Sequence, residues 1–154
     1  MEIKSTLRVI DSNTIDPRPG MGRDGHTVKA LVGTDIPTDR VRATLATYEP
    51  NVLEELHWHP IEAFYFVIAG SITVRDIEGK ESILGPGMAI YCPPGIAGAH
   101  EWESGKDGCQ LIAMRGSNES VRKMQFTVDK KTKRSYIDIE DLHRYGGIQF
   151  KSHY

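Results

Sequence analysis

An all-β fold, a sandwich or barrel of short strands, is what this 154-residue sequence predicts. Three observations carry the prediction. Fifteen glycines and eight prolines punctuate the chain at the close spacing of turns between short strands. The runs between them are rich in β-branched and aromatic residues, and several alternate apolar and polar with period two. No stretch sustains a long helical period. A chain of this length is expected to build one core and one site, so residues 1–154 read as a single domain.

The stretch 11–25, rich in Asp, Pro and Gly, reads as an N-terminal arm or lid lying over the surface. Strands are expected at 27–32, 40–48, 55–58, 64–69, 71–76, 80–84, 88–91, 98–102, 110–115 and 124–128. Between them, Ala69-Gly70 and Glu78-Gly79 can adopt positive φ and turn hairpins, while Gly85-Pro86-Gly87 and Pro93-Pro94-Gly95 force corners with no continuing ladder. The run 64–69 is apolar on both faces, which is the mark of a strand covered on both sides. Tyr65, Val67 and Ile112 are expected inward, and Phe64, Phe66 and Ile68 outward, where a second subunit of a homodimer would cover them. Near the C-terminus, 139–145 is expected to form a short helix stopped by Gly146-Gly147.

Composition excludes several functions. Nineteen basic against 21 acidic residues leave a formal charge of −2, which supplies no electrostatic reason to bind nucleic acid or an anionic membrane. The densest basic stretch, Lys130-Lys131-Thr132-Lys133-Arg134, lacks interleaved aromatics and reads as a solvated turn. No apolar run is long enough to span a bilayer and the N-terminus has no secretion pattern, so a cytoplasmic location is expected, with Cys92 and Cys109 as reduced thiols.

The chemistry-bearing stretch is Leu-His-Trp-His-Pro-Ile-Glu-Ala-Phe-Tyr-Phe, residues 56–66. Side chains alternate along a strand, so His57 and His59 share a face. Two imidazoles alone bind a metal weakly, and a third protein ligand is required. His100 follows the Pro93-Pro94-Gly95 corner and opens another short strand, whereas His26, His143 and His153 stand apart and read as surface residues, with the alternative that His26, on the N-terminal arm, reaches the site. Trp58 and Trp102 flank the candidate positions and are expected to point away from them, in structural packing.

These motifs resemble those of the cupin superfamily, small β-barrels that carry a metal in the barrel mouth. The first cupin motif places a glutamate and then a glycine after His-X-His, and here His57-Trp58-His59 is followed by Gly70 at the expected separation. The second runs from a glycine through Pro-X-Gly to a histidine, matched by Gly87, Pro93-Pro94-Gly95 and His100. The resemblance covers about residues 40–116 and implies a cupin-type double-stranded β-helix, or jelly-roll barrel, with His57, His59 and His100 as metal ligands. Two departures stand out. Ala63 occupies the usual glutamate position, with Glu62 one residue out of register and facing away unless Pro60 bulges the strand. Four residues, 96–99, separate Gly95 from His100 where the pattern has two.

A histidine pair with a later histidine and no glutamate is similar to the three-histidine cupins, which include diketone-cleaving dioxygenases that use mononuclear ferrous iron. That resemblance implies Fe(II); the donor chemistry by itself also admits zinc, nickel, manganese or copper. Neutral ligands leave the full dipositive charge on the metal, which favours chelation of an anionic enolate. Glu62 or Glu103 is the expected catalytic base, with Glu62, Glu103 and Gln110 as further ligand or supporting positions. Tyr65, Met88, Cys92, Gln110 and Ile112 are the expected pocket lining. The expected function is a metal-dependent dioxygenase on a small oxygenated substrate. The alternatives are a non-redox isomerase, lyase or cyclase, or a stand-alone small-molecule binder, since no helix-turn-helix accompanies the barrel.

Overall fold

The computed structural model describes residues 3–20, 24–116 and 125–136. The β-rich runs form strands in the expected order: β1 (Arg18–Pro19), β2 (His26–Val32), β3 (Val41–Tyr48), β4 (Leu53–Trp58), β5 (Ala63–Asp76), β6 (Glu81–Leu84), β7 (Ala89–Cys92), β8 (His100–Gly116), β9 (Phe126–Val128) and β10 (Ser135–Tyr136). Two 3-10 turns, Ser12–Thr14 and Ile96–Gly98, are the helical turns among the described residues. The helix expected at 139–145 lies outside those residues, as do His143 and His153. Among the described residues no helix is long and apolar enough to cross a membrane.

Where the sequence suggested separate strands at 64–69 and 71–76, one long β5 runs through Gly70; likewise 98–102 and 110–115 are parts of one long β8. These two strands pair along nearly their whole length. The N-terminal half of β8 also pairs with β4 and its C-terminal half with β3. Similarly, β5 holds β7 along its first half and β6 along its second. The sheet therefore curls, with β1-β2-β3 and β7 at one end of the long pair and β10-β9-β4 and β6 at the other. That curled, all-β half-barrel is the jelly-roll architecture that the resemblance implies.

The curl is built at facing glycines. Gly70 adopts φ +71 and Gly108 φ +75, the left-handed region that only glycine enters cheaply. A Cβ on Gly70 would stand 2.1 Å from the Gly108 carbonyl oxygen, so a side chain there would push the two backbones apart. Register shifts in β5 flank Gly70. Consequently the inward phase changes along both strands: Tyr65 and Val67 but then Ile72 and Val74 in β5, and Trp102 and Ser104 but then Cys109 and Leu111 in β8 are buried.

These inward residues, joined by Ala46, Tyr48, Ala63, Leu84 and Cys92, form the main core. Each large apolar side chain buried there stabilises the fold by about 1.5–3 kcal/mol. A second cluster, Leu56, Ala99 and Val128 with Trp58 and Ile77 against it, lies on the other face of β4. Phe64, Phe66 and Ile68 are outward as expected, each about two-fifths exposed (39%, 39% and 40%). The Lys130 to Arg134 stretch is the turn between β9 and β10, tied by Asp129, whose Oδ1 accepts from the backbone N–H groups of Lys131 and Thr132.

Candidate metal centre

The site starts from an irregularity in β4. Glu54 pairs with Trp102 and His57 with His100, so three steps on β4 match two on β8 and the strand bulges between them. A regular strand would place residues 54 and 57 on opposite faces. The bulge puts both toward the core, with Glu54 at 5% exposure and His57 at 1%. Leu56 and Trp58 consequently face the second cluster, where Trp58 stacks on Phe126 at 4.3 Å, away from the histidines as expected.

His57, His59 and His100 are all buried, and their candidate ligand nitrogens lie within 4.8 Å of one another. Backbone carbonyls select the tautomer of two of them. A carbonyl only accepts, so the 2.6 Å contact from His57 Nδ1 to Glu55 O and the 2.9 Å contact from His100 Nδ1 to Gly98 O place the proton on Nδ1. In the neutral rings each Nε2 then carries a lone pair. A guanidinium only donates, so Arg115 Nη2, 3.3 Å from His59 Nε2, identifies the same lone pair on the third ring. Burial, together with His57 alongside, pushes His100 down to about 3, so this ring is neutral at ordinary pH. Its Nε2 is buried without a hydrogen-bond partner among the described residues. Three buried imidazoles clustered this closely, two of them with the proton placed on Nδ1 and so Nε2 open as a donor to a cation, fit a divalent metal ion.

The second-motif corner serves this geometry. Gly95 N–H donates to His59 O at 2.9 Å, tying the corner to the first motif. The two residues by which the corner exceeds the usual pattern are taken up in the Ile96–Gly98 turn, which presents Gly98 O to His100.

A buried carboxylate stands beside the triad. Glu54 Oε1 is 3.9 Å from His57 Nε2, while Oε2 accepts from Tyr48 Oη at 3.1 Å and from the Trp102 indole N–H. Burial pushes the Glu54 carboxyl up, but His57 nearby, the Trp102 N–H and the other histidines together hold it below the usual carboxylate range. Glu54, Tyr48, Tyr65, Trp102 and Arg115 are among the residues that line a cavity of about 380 Å³. The histidines themselves do not line it. They sit behind these residues, with Trp102 5.0 Å from His100 between ring centroids and Arg115 against His59. Val28, Arg42, Thr44, Ala46, Leu111 and Ala113 also line it, as do Pro19, Gly20 and His26. The N-terminal arm thus reaches the cavity through Pro19 and Gly20.

Several sequence expectations need correction. Glu62 is exposed and accepts from Tyr91 Oη at 3.0 Å, while Ala63, 1% exposed, takes the inward place beside it. Pro60 does not turn Glu62 round. Glu103 lies on the opposite face of β8 from His100 and Trp102, where Arg75 reaches it at 3.4 Å along with Glu101 and Glu81. The carboxylate that stands beside the histidines is instead that of Glu54, 3.9 Å from His57 Nε2.

Of the expected pocket residues, Tyr65 lines the cavity. Cys92 is buried in the core but not on the cavity wall, and Met88 is 49% exposed. Gln110 and Ile112 lie on the outer phase of β8, opposite Thr47 and Leu45 of β3. The phase change near Gly108 gives their expected places to Leu111, Ala113 and Arg115. Trp102 faces inward, because two residues after His100 on a strand is the same face. His26 is no surface residue: it is 8% exposed and stacks on Tyr48 at 4.1 Å. Both cysteines are free thiols.

Glu54 was hidden in the sequence by the bulge, which period-two reading cannot see. Arg42 did leave a signal: in Arg42-x-Thr44-x-Ala46-x-Tyr48 a cation breaks an otherwise uncharged inward row, and it lines the cavity.

Comparison with known proteins agrees with this architecture. Residues 44–114 match the family described as "Cupin domain". No curated protein matches the sequence. Among solved structures, the polyketide cyclase RemF from Streptomyces resistomycificus superposes with a TM-score of 0.64 at 23% identity, covering 73% of this chain and 81% of that one. An RmlC-like cupin from Shewanella frigidimarina gives 0.57 at 15% identity, covering 77% and 96%. The oxalate decarboxylase of Lactobacillus farciminis, in its formate complex, gives 0.61 at 20% identity, with 80% of this chain and 37% of that one covered. The strand order and the facing-glycine curl are thus the fold of these solved structures, and residues 44–114 are similar to the cupin domain.

Proposed function

We propose that this protein is a metal-dependent enzyme acting on a small, enolisable, oxygenated organic substrate, and specifically a mononuclear non-haem iron dioxygenase of the diketone-cleaving type. The observation that carries the reading is the buried cluster of His57, His59 and His100, whose candidate ligand atoms lie within 4.8 Å of one another with no carboxylate in the group among the described residues. When bound, a divalent ion supplies uncompensated positive charge and open positions for substrate oxygens, and ferrous iron adds redox chemistry toward dioxygen.

The chain's own residues do the rest. Glu54, anchored through Oε2, keeps Oε1 toward His57 and takes up the proton that leaves the substrate carbon. Tyr48 and Trp102 fix its rotamer, and the apolar walls at Val28, Ala46, Leu111 and Ala113 exclude water from the reacting carbon. A cavity of about 380 Å³ is near the lower end for ligand pockets and suits a substrate of a few carbons.

A non-redox reading also has a specific support. Proton removal by Glu54 suffices for isomerisation or cyclisation without oxygen, and the similar structures include a cyclase and a decarboxylase. Metal analysis of protein purified without chelator, followed by oxygen uptake with β-diketones, tests the proposal. His57→Ala and His100→Ala are expected to lose the metal; a metal-free wild type, or full metal content in both variants, refutes the site. Turnover under nitrogen transfers the proposal to the non-redox chemistry, and retention of a small molecule without turnover to a binding protein.

A further inference from the structure

We infer that His26 is a specificity-determining residue of the cavity, whose Nε2 shares a hydrogen bond with a hydroxyl group of the substrate. The position of that hydroxyl relative to the reacting carbons rests on the proposed metal centre; the hydrogen bond itself does not.

His26 opens β2 opposite Tyr48 of β3 and, like Val28 two residues on, lines the cavity. It is 8% exposed, and its Nε2 is buried without a hydrogen-bond partner among the described residues. The ring is held on both faces. Tyr48 stacks on one at 4.1 Å with 9° between the planes, which leaves no room for backbone between the rings. Gly20 of the arm covers the other: a Cβ there would stand 2.3 Å from Nδ1 and 2.5 Å from Cγ and Cε1, and the Gly20 N–H donates to His26 O at 2.7 Å. A ring clamped in this way does not swing to a partner elsewhere, so Nε2 is paired only by what enters the cavity. Phenylalanine would stack on Tyr48 without burying an unpaired nitrogen, so packing alone gives no reason for an imidazole here.

The surroundings select a neutral oxygen. Burial holds the His26 imidazole below the usual histidine range although Glu54 pulls it up, so the ring is neutral near pH 7 and offers an anion no charge. The Glu54 carboxylate lines the same cavity and repels a second one. A neutral imidazole carries one N–H and one lone pair, and a hydroxyl, which donates and accepts, satisfies Nε2 in either tautomer. Val28, Ala46 and Leu111 also line the cavity and offer that hydroxyl no competing side-chain contact. Ring contacts lead from His26 to Tyr48 at 4.1 Å, on to Trp102 at 6.1 Å and on to His100 at 5.0 Å. A molecule that reaches both His26 and the triad spans these two aromatic side chains, so its hydroxyl lies several bonds from the enolisable carbons.

The test is calorimetric titration of the full chain, metal-loaded and chelator-treated. The probes are three β-diketones ending in a hydroxyl one, two or three carbons beyond a carbonyl, each against the homologue that ends in a methyl group. Wild type is expected to prefer at least one hydroxyl probe over its homologue by tenfold or more, and His26→Phe to bind the two members of that pair equally. Nitrogen NMR of the wild-type imidazoles is expected to show the His26 Nε2 resonance move with the preferred probe and stay with its homologue, which decides even if the variant fails to fold. Equal affinity within every pair, as when water alone satisfies Nε2, an undiminished preference in His26→Phe, or an unmoved Nε2 resonance overturns the inference. A hydroxyl preference that persists in chelator-treated protein supports His26 even where the metal reading fails; metal-loaded protein that binds the diketones without regard to the hydroxyl fails His26 alone. Binding of neither series in either state overturns both.

Discussion

Glu54 separates two roles that one residue can combine, holding the core and moving a proton. Its side chain is 5% exposed, and Oε2 alone accepts from both Tyr48 Oη and the Trp102 N–H. Glu54→Ala leaves two buried donors without an acceptor, at about 1–3 kcal/mol each. The expected destabilisation is about 2–6 kcal/mol, and in a chain of this size each kcal/mol lowers the melting temperature by roughly 2–4 °C. Glu54→Gln behaves differently, because an amide oxygen at the Oε2 position keeps both hydrogen bonds and only the charge facing His57 is lost. Its melting temperature is expected within about 5 °C of wild type. Turnover should nevertheless fall by about 10²–10⁴, the contribution of a positioned base. Thermal melts by circular dichroism and initial rates on a β-diketone read the two effects separately. If Glu54→Ala melts with wild type, or if Glu54→Gln is as unstable as Glu54→Ala, the anchoring argument is wrong. Wild-type turnover in Glu54→Gln removes Glu54 as the base.

Gly70→Ala combines a left-handed φ of +71 with a Cβ 2.1 Å from the Gly108 carbonyl oxygen, and is expected to cost more than about 3 kcal/mol in urea unfolding. Gly79→Ala, at φ +87 in open space, should cost only about 1–2 kcal/mol, and equal losses at the two positions would contradict the close-approach account of the curl. Burial pushes the Cys92 thiol up to about 12 and the Cys109 thiol up to about 11. Neither should react with Ellman's reagent in the native state at pH 8, and both should react in guanidinium. The native state keeps these thiol protons where the unfolded chain releases them, so their contribution makes stability fall as pH rises from about 9 toward 11–12, which pH-dependent denaturation can follow. We also propose that a second copy covers the outward row of Phe64, Phe66 and Ile68. Phe66→Glu is then expected to convert a dimer to a monomer in sedimentation, and a monomeric wild type would refute it.

The local part of the site was readable because strand alternation is local. His57 and His59, two residues apart, share a face wherever the strand runs, and the opposed sets Tyr65/Val67 and Phe64/Phe66/Ile68 separate for the same reason. The corner at Pro93-Pro94-Gly95 likewise announces a reversal from its own residues. Glu62 was the nearest carboxylate in sequence to the histidine pair, and this proximity misled: it faces solvent and meets Tyr91.

The sequence by itself determined the all-β class, the histidine pair and the outward aromatic row, all consequences of spacing within one strand. Tertiary structure decided which carboxylate and which cations enter the site. Glu54 turns inward because β4 bulges against β8, and Arg115 lines the cavity because β8 changes phase opposite Gly70. Arg42 and His26 reach the same space through the β2-β3-β8 ladder. Register between strands far apart in the chain is set by their mutual packing, and a shift of one residue reverses every side chain beyond it.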